Sequence, residues 1–315
     1  MSDVGLNGDF SVWERTESGL VVPAPQILVP KHMREPERPI IRAVDLFCGC
    51  GGFSLGMQQA GIDVVAAVEW EPNAAVTYLA NLGSARGCAV SYVGDGDRGR
   101  FAKTLKKLKL TDGWIGQHNP DKSGSGCRAM IIGDVAQVDA ETIQEALGAL
   151  NCRTPIDLVF GGPPCQGFSR AGKQDPTDAR NNLVLEFVRI ADDLGADTFV
   201  MENVPPLMTE SKFRPLFNAL VKRANDAGFD VVANVLDAAN YGVPQRRRRT
   251  FVVGTRGKAE GRFQFPIPTH WCFGSGATSS GKRRRWNMEP NDQARELKRK
   301  ALRKEQRKAR KRGRK

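Results

Sequence analysis

The sequence predicts an α/β protein with a doubly wound, mainly parallel sheet. Three observations lead there. Apolar runs of strand length alternate with amphipathic runs of helical length from Ile40 to about Arg256. The first apolar run, IIRAVDLF, passes through a glycine-rich turn into a helix, CGCGGFSLGMQQAG, as a β-α-β unit begins. Two later runs, PIDLVFGGPPC and DTFVMENVPPL, end in loops stiffened by proline, and in such sheets ligand loops follow the carboxyl ends of strands.

The whole chain sets the bounds. With 315 residues, 40% of them hydrophobic, it can bury one large core with appendages. No apolar run approaches the ~20 residues that span a bilayer, and the start, MSDVGLNGDFSVWERTES, is acidic and polar rather than basic and then apolar. The expected location is the cytoplasm, with nucleoid association in a bacterial source. Seven cysteines, none in a C-x-x-C pair, read as reduced thiols; Cys48-x-Cys50 and His270-x-Cys272 come closest to metal spacing, and no metal site is expected. Lys282 to Lys315 carries 17 Lys+Arg and 4 Asp+Glu, a net of +13 against +12 for the whole chain, which leaves −1 for residues 1–281. The basicity belongs to a tail. The organisation expected is an arm over 1–40, the α/β domain over 41–270 with an insertion at about 82–128, and a basic tail over 271–315, flexible or helical.

Taken in order, the arm shows no sustained periodicity and several prolines. After the first strand, turn and helix comes IDVVAAVEW, a second strand closing on Glu69, and then the helix EPNAAVTYLANL. An acid at that position suits the ribose hydroxyls of a nucleoside cofactor. A dinucleotide fingerprint G-x-G-x-x-G fails, because from Gly49 and Gly51 the third position is Ser54. The alternative is a tight turn that binds nothing. Asn81 to Cys127 reads as an exposed insertion with a short amphipathic helix around KTLKKLKL. RAMIIGDV resumes the strands and ends at Asp134, suited to the adenine end of a nucleoside; Asp95 is its rival, and the cleaner apolar strand favours Asp134.

AETIQEALGAL is a helix, and PIDLVFGGPPCQGFS then mounts one thiol, Cys165, on a stiff loop where a substrate could meet it. Such a cysteine is either a nucleophile or a small buried hydrophobe at a strand end. SRAGKQDPTDARNN has the composition of a mobile loop, LVLEFVRIADDL is a helix, and Glu202 and Asn203 stand at the end of the next strand. A helix, the strand FDVVANVLDA and then NYGVPQRRRRTFVVGTR follow, with four arginines just before or at the start of a strand. Singly, Glu202 reads equally as a surface carboxylate and Arg246 to Arg249 as a solvated patch. Thiol, carboxyl and guanidinium beside a nucleoside loop make a more specific set.

DLFCGCGGFSLG, VEW, GDV, GGPPCQGFS, MENV and QRRRR with TFVVG, in this order, resemble the cytosine-5 DNA methyltransferase family over roughly Val44 to Gly254. The resemblance implies a Rossmann-like methyltransferase sheet, S-adenosylmethionine as cofactor and DNA as substrate, in a modification or restriction-modification system. It implies that Cys165 adds to C6 of a flipped-out cytosine, so that C5 can take the methyl group, with Glu202 at ring N3. Arg247 would contact the base near O2 or its phosphate, Arg249 would support the loop, Gln166 and Ser169 would bind the substrate with them, and Asn203 and Pro164 would shape the pocket. For the cofactor it implies Phe47 against adenine or ribose, Gly49, Gly51 and Gly52 at the methionine part, Glu69 on the ribose hydroxyls, Trp70 flanking the adenine, Asp134 on its amino group, and Pro164 and Leu183 as walls.

After QFPIPTH the resemblance ends: the family's recognition region and last two motifs are not legible, and the chain runs into ELKRKALRKEQRKARKRGRK. A second polypeptide carrying those parts is the expected partner, with the tail from Lys282 to Lys315 on DNA phosphates. The alternatives are an RNA (tRNA) cytosine as substrate, or an inactive remnant or regulatory nucleic-acid-binding subunit.

Overall fold

The computed structural model describes residues 13–15, 21–23, 40–84, 86–110, 113–119, 126–164, 179–261 and 263–270. Two compact units divide between Ile40 and Ile41. In the first, β1 (Trp13–Arg15) and β2 (Val21–Pro23) form an antiparallel pair with Glu14 opposite Val22.

The second unit is built on one eight-stranded sheet in the order β5-β6-β4-β3-β7-β8-β10-β9. Its strands are β3 (Arg42–Leu46), β4 (Asp63–Glu69), β5 (Ala89–Tyr92), β6 (Ala129–Ile132), β7 (Leu158–Gly161), β8 (Thr198–Asn203), β9 (Asp230–Asp237) and β10 (Arg248–Thr255). From β5 across to β8 every pairing is parallel, while β10 is antiparallel to both β8 and β9. Only β10 therefore runs backwards, and its first residues lie at the edge where the parallel strands end.

Burial explains the central strands. Ala43 to Leu46 and Val64 to Val68 are buried throughout, because a parallel sheet with helices on both faces hides both sides of each strand. One face packs Val44, Leu46, Ile131, Val159 and Phe199 under α4 (Ala140–Gly148), α5 (Leu183–Asp193) and α7 (Arg214–Asp226). The other packs Ala67, Met130 and Ile132 under α2 (Pro72–Leu82) and Phe101 of α3 (Asp95–Leu108). On that same side α1 (Gly52–Gln59) sets Phe53 against Phe160 at 5.0 Å and Phe251 at 6.4 Å between ring centroids. The short α6 (Pro206–Thr209) follows β8.

The stretch read as an exposed insertion differs in the structure. β5 joins the sheet beside β6, and α3 starts well before KTLKKLKL, with Phe101 buried against the core and Lys109 ending it at φ 53. Four half-buried residues are too few to display a strand's period, which is why this edge escapes a pattern reading.

Candidate functional site

The chain passes from β3 to β4 on one side and returns to β7 on the other, so a crevice opens at the carboxyl end of β3. The loop there turns on left-handed residues, with φ of 61 at Phe47, 55 at Gly49 and 93 at Gly51. A Cβ on Gly51 would stand 2.3 Å from Leu82 and 2.8 Å from Tyr78, so glycine is required by space as well as by φ. Gly52 opens α1 and lines the crevice, with nothing within 4 Å of a Cβ.

Glu69 ties this loop to the next helix. The Gly49 N–H donates to Oε2 and the Glu71 N–H to Oε1, both at 2.7 Å. Each oxygen keeps a second lone pair for a hydroxyl donor. Trp70 follows with 61% of its surface exposed. Asp134 is exposed and caps a short turn through the Ala136 N–H at 3.0 Å, while the Gly133 N–H bonds the Glu69 carbonyl at 3.0 Å. Its rival Asp95 is also exposed, as the first residue of α3 at the end of the neighbouring strand.

A cavity of about 710 Å3 extends from this loop across the sheet to the reversed strand. Phe47, Phe53 and Phe251 give it apolar walls, and Asp45, Glu202, Arg247 and Arg249 bring charge. The register sets Glu202 of β8 opposite Phe251 of β10, and alternation then turns Arg249 to the same face. Arg249 Nε lies 2.6 Å and Arg247 Nη2 3.5 Å from Glu202 Oε1. Gly162 leaves room for the carboxylate, whose Oε2 would be 3.2 Å from a Cβ there. The Arg247 N–H is itself fixed to Asp237 Oδ1 at 3.1 Å.

Asn203 is buried and spends its side chain on the backbone: Nδ2 donates to the Pro163 carbonyl at 3.3 Å, and Oδ1 accepts from the Val204 N–H at 2.8 Å. It joins the loops after β7 and β8. Pro164 is half-buried in the first of those loops, and Leu183 is half-buried at the start of α5; neither is among the residues that line the cavity. Cys165, Gln166 and Ser169 lie outside the described residues, as does the tail from Lys282 to Lys315.

Pattern reading assigned no role to Asp45. It is 1% exposed; Ser54 Oγ donates to its Oδ2 at 2.6 Å and stands 2.8 Å from the Tyr78 hydroxyl, while Oδ1 has no hydrogen-bond partner among the described residues. Burial pushes its carboxyl up to about 8; the Ser54 hydrogen bond opposes this and the negative Glu69 adds to it. The sequence signal was an ionisable residue inside an apolar strand.

Fold and crevice together define a class: doubly wound α/β proteins whose first β-α-β unit turns through a glycine loop into a crevice, here with a charged pocket alongside. The chain belongs to the C-5 cytosine-specific DNA methylase family, whose family model matches residues 41–95 and 124–314. It is 35% identical over 239 residues to the type II methyltransferase M.AquIA of Picosynechococcus sp., covering 73% of this chain and 77% of that one. It is 34% identical over 221 residues to M.XorII of Xanthomonas oryzae pv. oryzae, covering 70% of this chain and 41% of the relative. Against M.HgiDI of Herpetosiphon aurantiacus the identity is 33% over 217 residues, with 69% and 52% covered. The chain thus spans about half or less of the length of two of these three curated relatives. Among the described residues no helix is long and apolar enough to cross a membrane.

Proposed function

We propose that the chain transfers a methyl group from S-adenosylmethionine to C5 of cytosine in DNA. The observation that carries this reading is Glu202, held by Arg249 at 2.6 Å and Arg247 at 3.5 Å in a cavity that continues to the glycine loop. A carboxyl group and a nucleoside crevice sharing one cavity is what base methylation needs.

The residues present fit the cofactor. Glu69 offers two hydroxyl acceptors, Phe47 an apolar wall, and the left-handed loop a close backbone approach. The unpartnered Oδ1 of Asp45 is a buried acceptor suited to the ammonium of the methionine part. When bound, S-adenosylmethionine supplies an electrophilic methyl on a sulfonium.

The chain's own residues do the rest. C5 of cytosine is a poor nucleophile, so the Cys165 thiolate adds to C6 and pushes electrons towards C5. Glu202 shares a proton with ring N3 and relieves the charge that develops during addition; Arg247 and Arg249 orient the carboxyl until the base arrives. C5 then takes the methyl that the sulfonium gives up in becoming a neutral thioether; the C5 proton passes to water, its electron pair restores the C5–C6 double bond, and the C6–S bond breaks to return the Cys165 thiolate. The base must leave the helix stack for this. The basic stretch from Lys282 to Lys315 meets DNA phosphates, and base reading falls to a second polypeptide carrying recognition, within a modification or restriction-modification system.

The test is transfer of labelled methyl to mixed-sequence duplex DNA by the chain, with Cys165→Ala as control, together with trapping on DNA containing 5-fluorocytosine. Fluorine cannot leave as a proton does, so a working Cys165 stays attached. Trapping by the wild type but not by the variant supports the reading. Labelled methyl on RNA alone, or transfer unchanged in Cys165→Ala, overturns it.

A further inference from the structure

We propose that Arg100 is a positioning residue for the adenosine half of the cofactor, acting through Trp70. The inference rests on the reading that S-adenosylmethionine binds beside Glu69.

Arg100 belongs to a part of the chain, residues 96–123, that the family model does not match. It lies one helical turn into α3, and three contacts fix its guanidinium. Nη2 lies 2.7 Å from Asp97 Oδ1, and the same Nη2 donates to the Trp70 carbonyl at 3.2 Å. The guanidinium carbon stands 5.0 Å from the centroid of the Trp70 ring. Asp97 is itself packed, with Oδ2 3.0 Å from the place of a Cβ on Gly133, the residue before Asp134. One arginine therefore holds both the backbone and the ring of the residue that follows Glu69.

Trp70 nevertheless keeps 61% of its surface exposed. The guanidinium covers only part of the indole, and the exposed remainder is what a planar partner would meet. An indole held in one rotamer by a cation is pre-organised: the entropy of fixing it is spent on folding rather than on binding. Fixing α3 is not what the contact is for. Phe101 already anchors that helix, 2% exposed and 6.0 Å from the Tyr92 ring.

The experiment is calorimetric titration of the full chain with S-adenosylhomocysteine, which binds without turnover. Wild type, Arg100→Ala, Arg100→Lys, Trp70→Ala and the Arg100→Ala/Trp70→Ala double variant are compared, each with its thermal midpoint. Arg100→Ala should weaken binding roughly five-fold with an unchanged midpoint, because an exposed cation–π contact is worth little more than that. Arg100→Lys should recover part of the loss, since an ammonium can sit over the ring but does not reproduce the guanidinium plane stacked there. In the Trp70→Ala background, removing Arg100 should cost nothing further. Equal affinity of wild type and Arg100→Ala overturns the clamp, and so does an additive loss in the double variant. A wild type that does not bind the ligand overturns the cofactor reading and the clamp with it.

Discussion

Asp45→Asn is the most informative single change in this protein, because the group it removes titrates with the fold. The folded carboxyl sits at about 8 and an ordinary aspartate at 3.8. Below 3.8 both states carry the proton; between 3.8 and 8 the folded state holds one proton more than the unfolded chain; above 8 the difference vanishes. Stability contributed by this group is therefore complete at low pH and is lost as pH rises. Each pH unit in the window is worth about 1.4 kcal/mol. From pH 5 to pH 8 the wild type should lose about 4 kcal/mol relative to Asp45→Asn, whose amide fills the same space and does not titrate. Urea unfolding of both proteins at pH 5, 6.5 and 8 reads this directly, since all other titrating groups are shared and cancel. Parallel plots of unfolding free energy against pH would show that Asp45 ionises normally inside the fold, and the unpartnered Oδ1 would lose its meaning as a buried acceptor.

Three further outcomes follow from the same geometry. If the ligand's ammonium sits against Oδ1, binding S-adenosylhomocysteine at pH 7 ionises Asp45 and releases up to about one proton, so the heat of binding varies with the ionisation enthalpy of the buffer; a buffer-independent heat would place the ammonium elsewhere. Glu202→Gln should lower methyl transfer by roughly 100-fold or more while leaving affinity for S-adenosylhomocysteine unchanged, with initial rates and calorimetry separating the two. Glycine to alanine should change sign with position in thermal melts. Gly161→Ala puts a Cβ 1.9 Å from the Leu46 carbonyl oxygen and should cost more than about 3 kcal/mol, whereas Gly56→Ala, inside α1 with nothing within 4 Å, should stabilise by about 0.5 to 1 kcal/mol.

Most strands are legible in advance, the inner ones because burial decides their composition, and β9 and β10 because FDVVANVLDA and TFVVGTR are apolar runs of strand length. β3, β4, β6, β7 and β8 lie inside the sheet, so apolar residues dominate them, and the acids that close β4 and β8 stand out against that background. Glu69 and Glu202 were legible for that reason. β5 was not, being a four-residue edge whose identity depends on its pairing with β6. Asp45 stands inside the DLFCGCGGFSLG motif, and nothing local says that Ser54 and Tyr78 will meet behind it. Arg100 was hidden in the same way: its partner lies 30 positions back in the sequence.

The arginines test that argument most severely. In a wholly parallel sheet the start of a strand lies at the edge opposite the strand ends, so QRRRR before TFVVG would be far from Glu202. Only reversal of β10 brings the two together, and reversal is a property of pairing that no local periodicity encodes. The reversal also selects among the four. Arg247 and Arg249 share a face with Phe251 and line the cavity, whereas Thr250 points the other way, buried, with Oγ1 bonded to the Val204 carbonyl at 3.4 Å. Arg249 divides its donors, Nε to Glu202 and Nη1 to the Arg248 carbonyl at 2.8 Å, a fork that a single ammonium cannot match. What the site requires is therefore two guanidiniums at a spacing of two, Arg247 just before and Arg249 within the start of a strand running backwards, and the density of positive charge in the run is incidental to it.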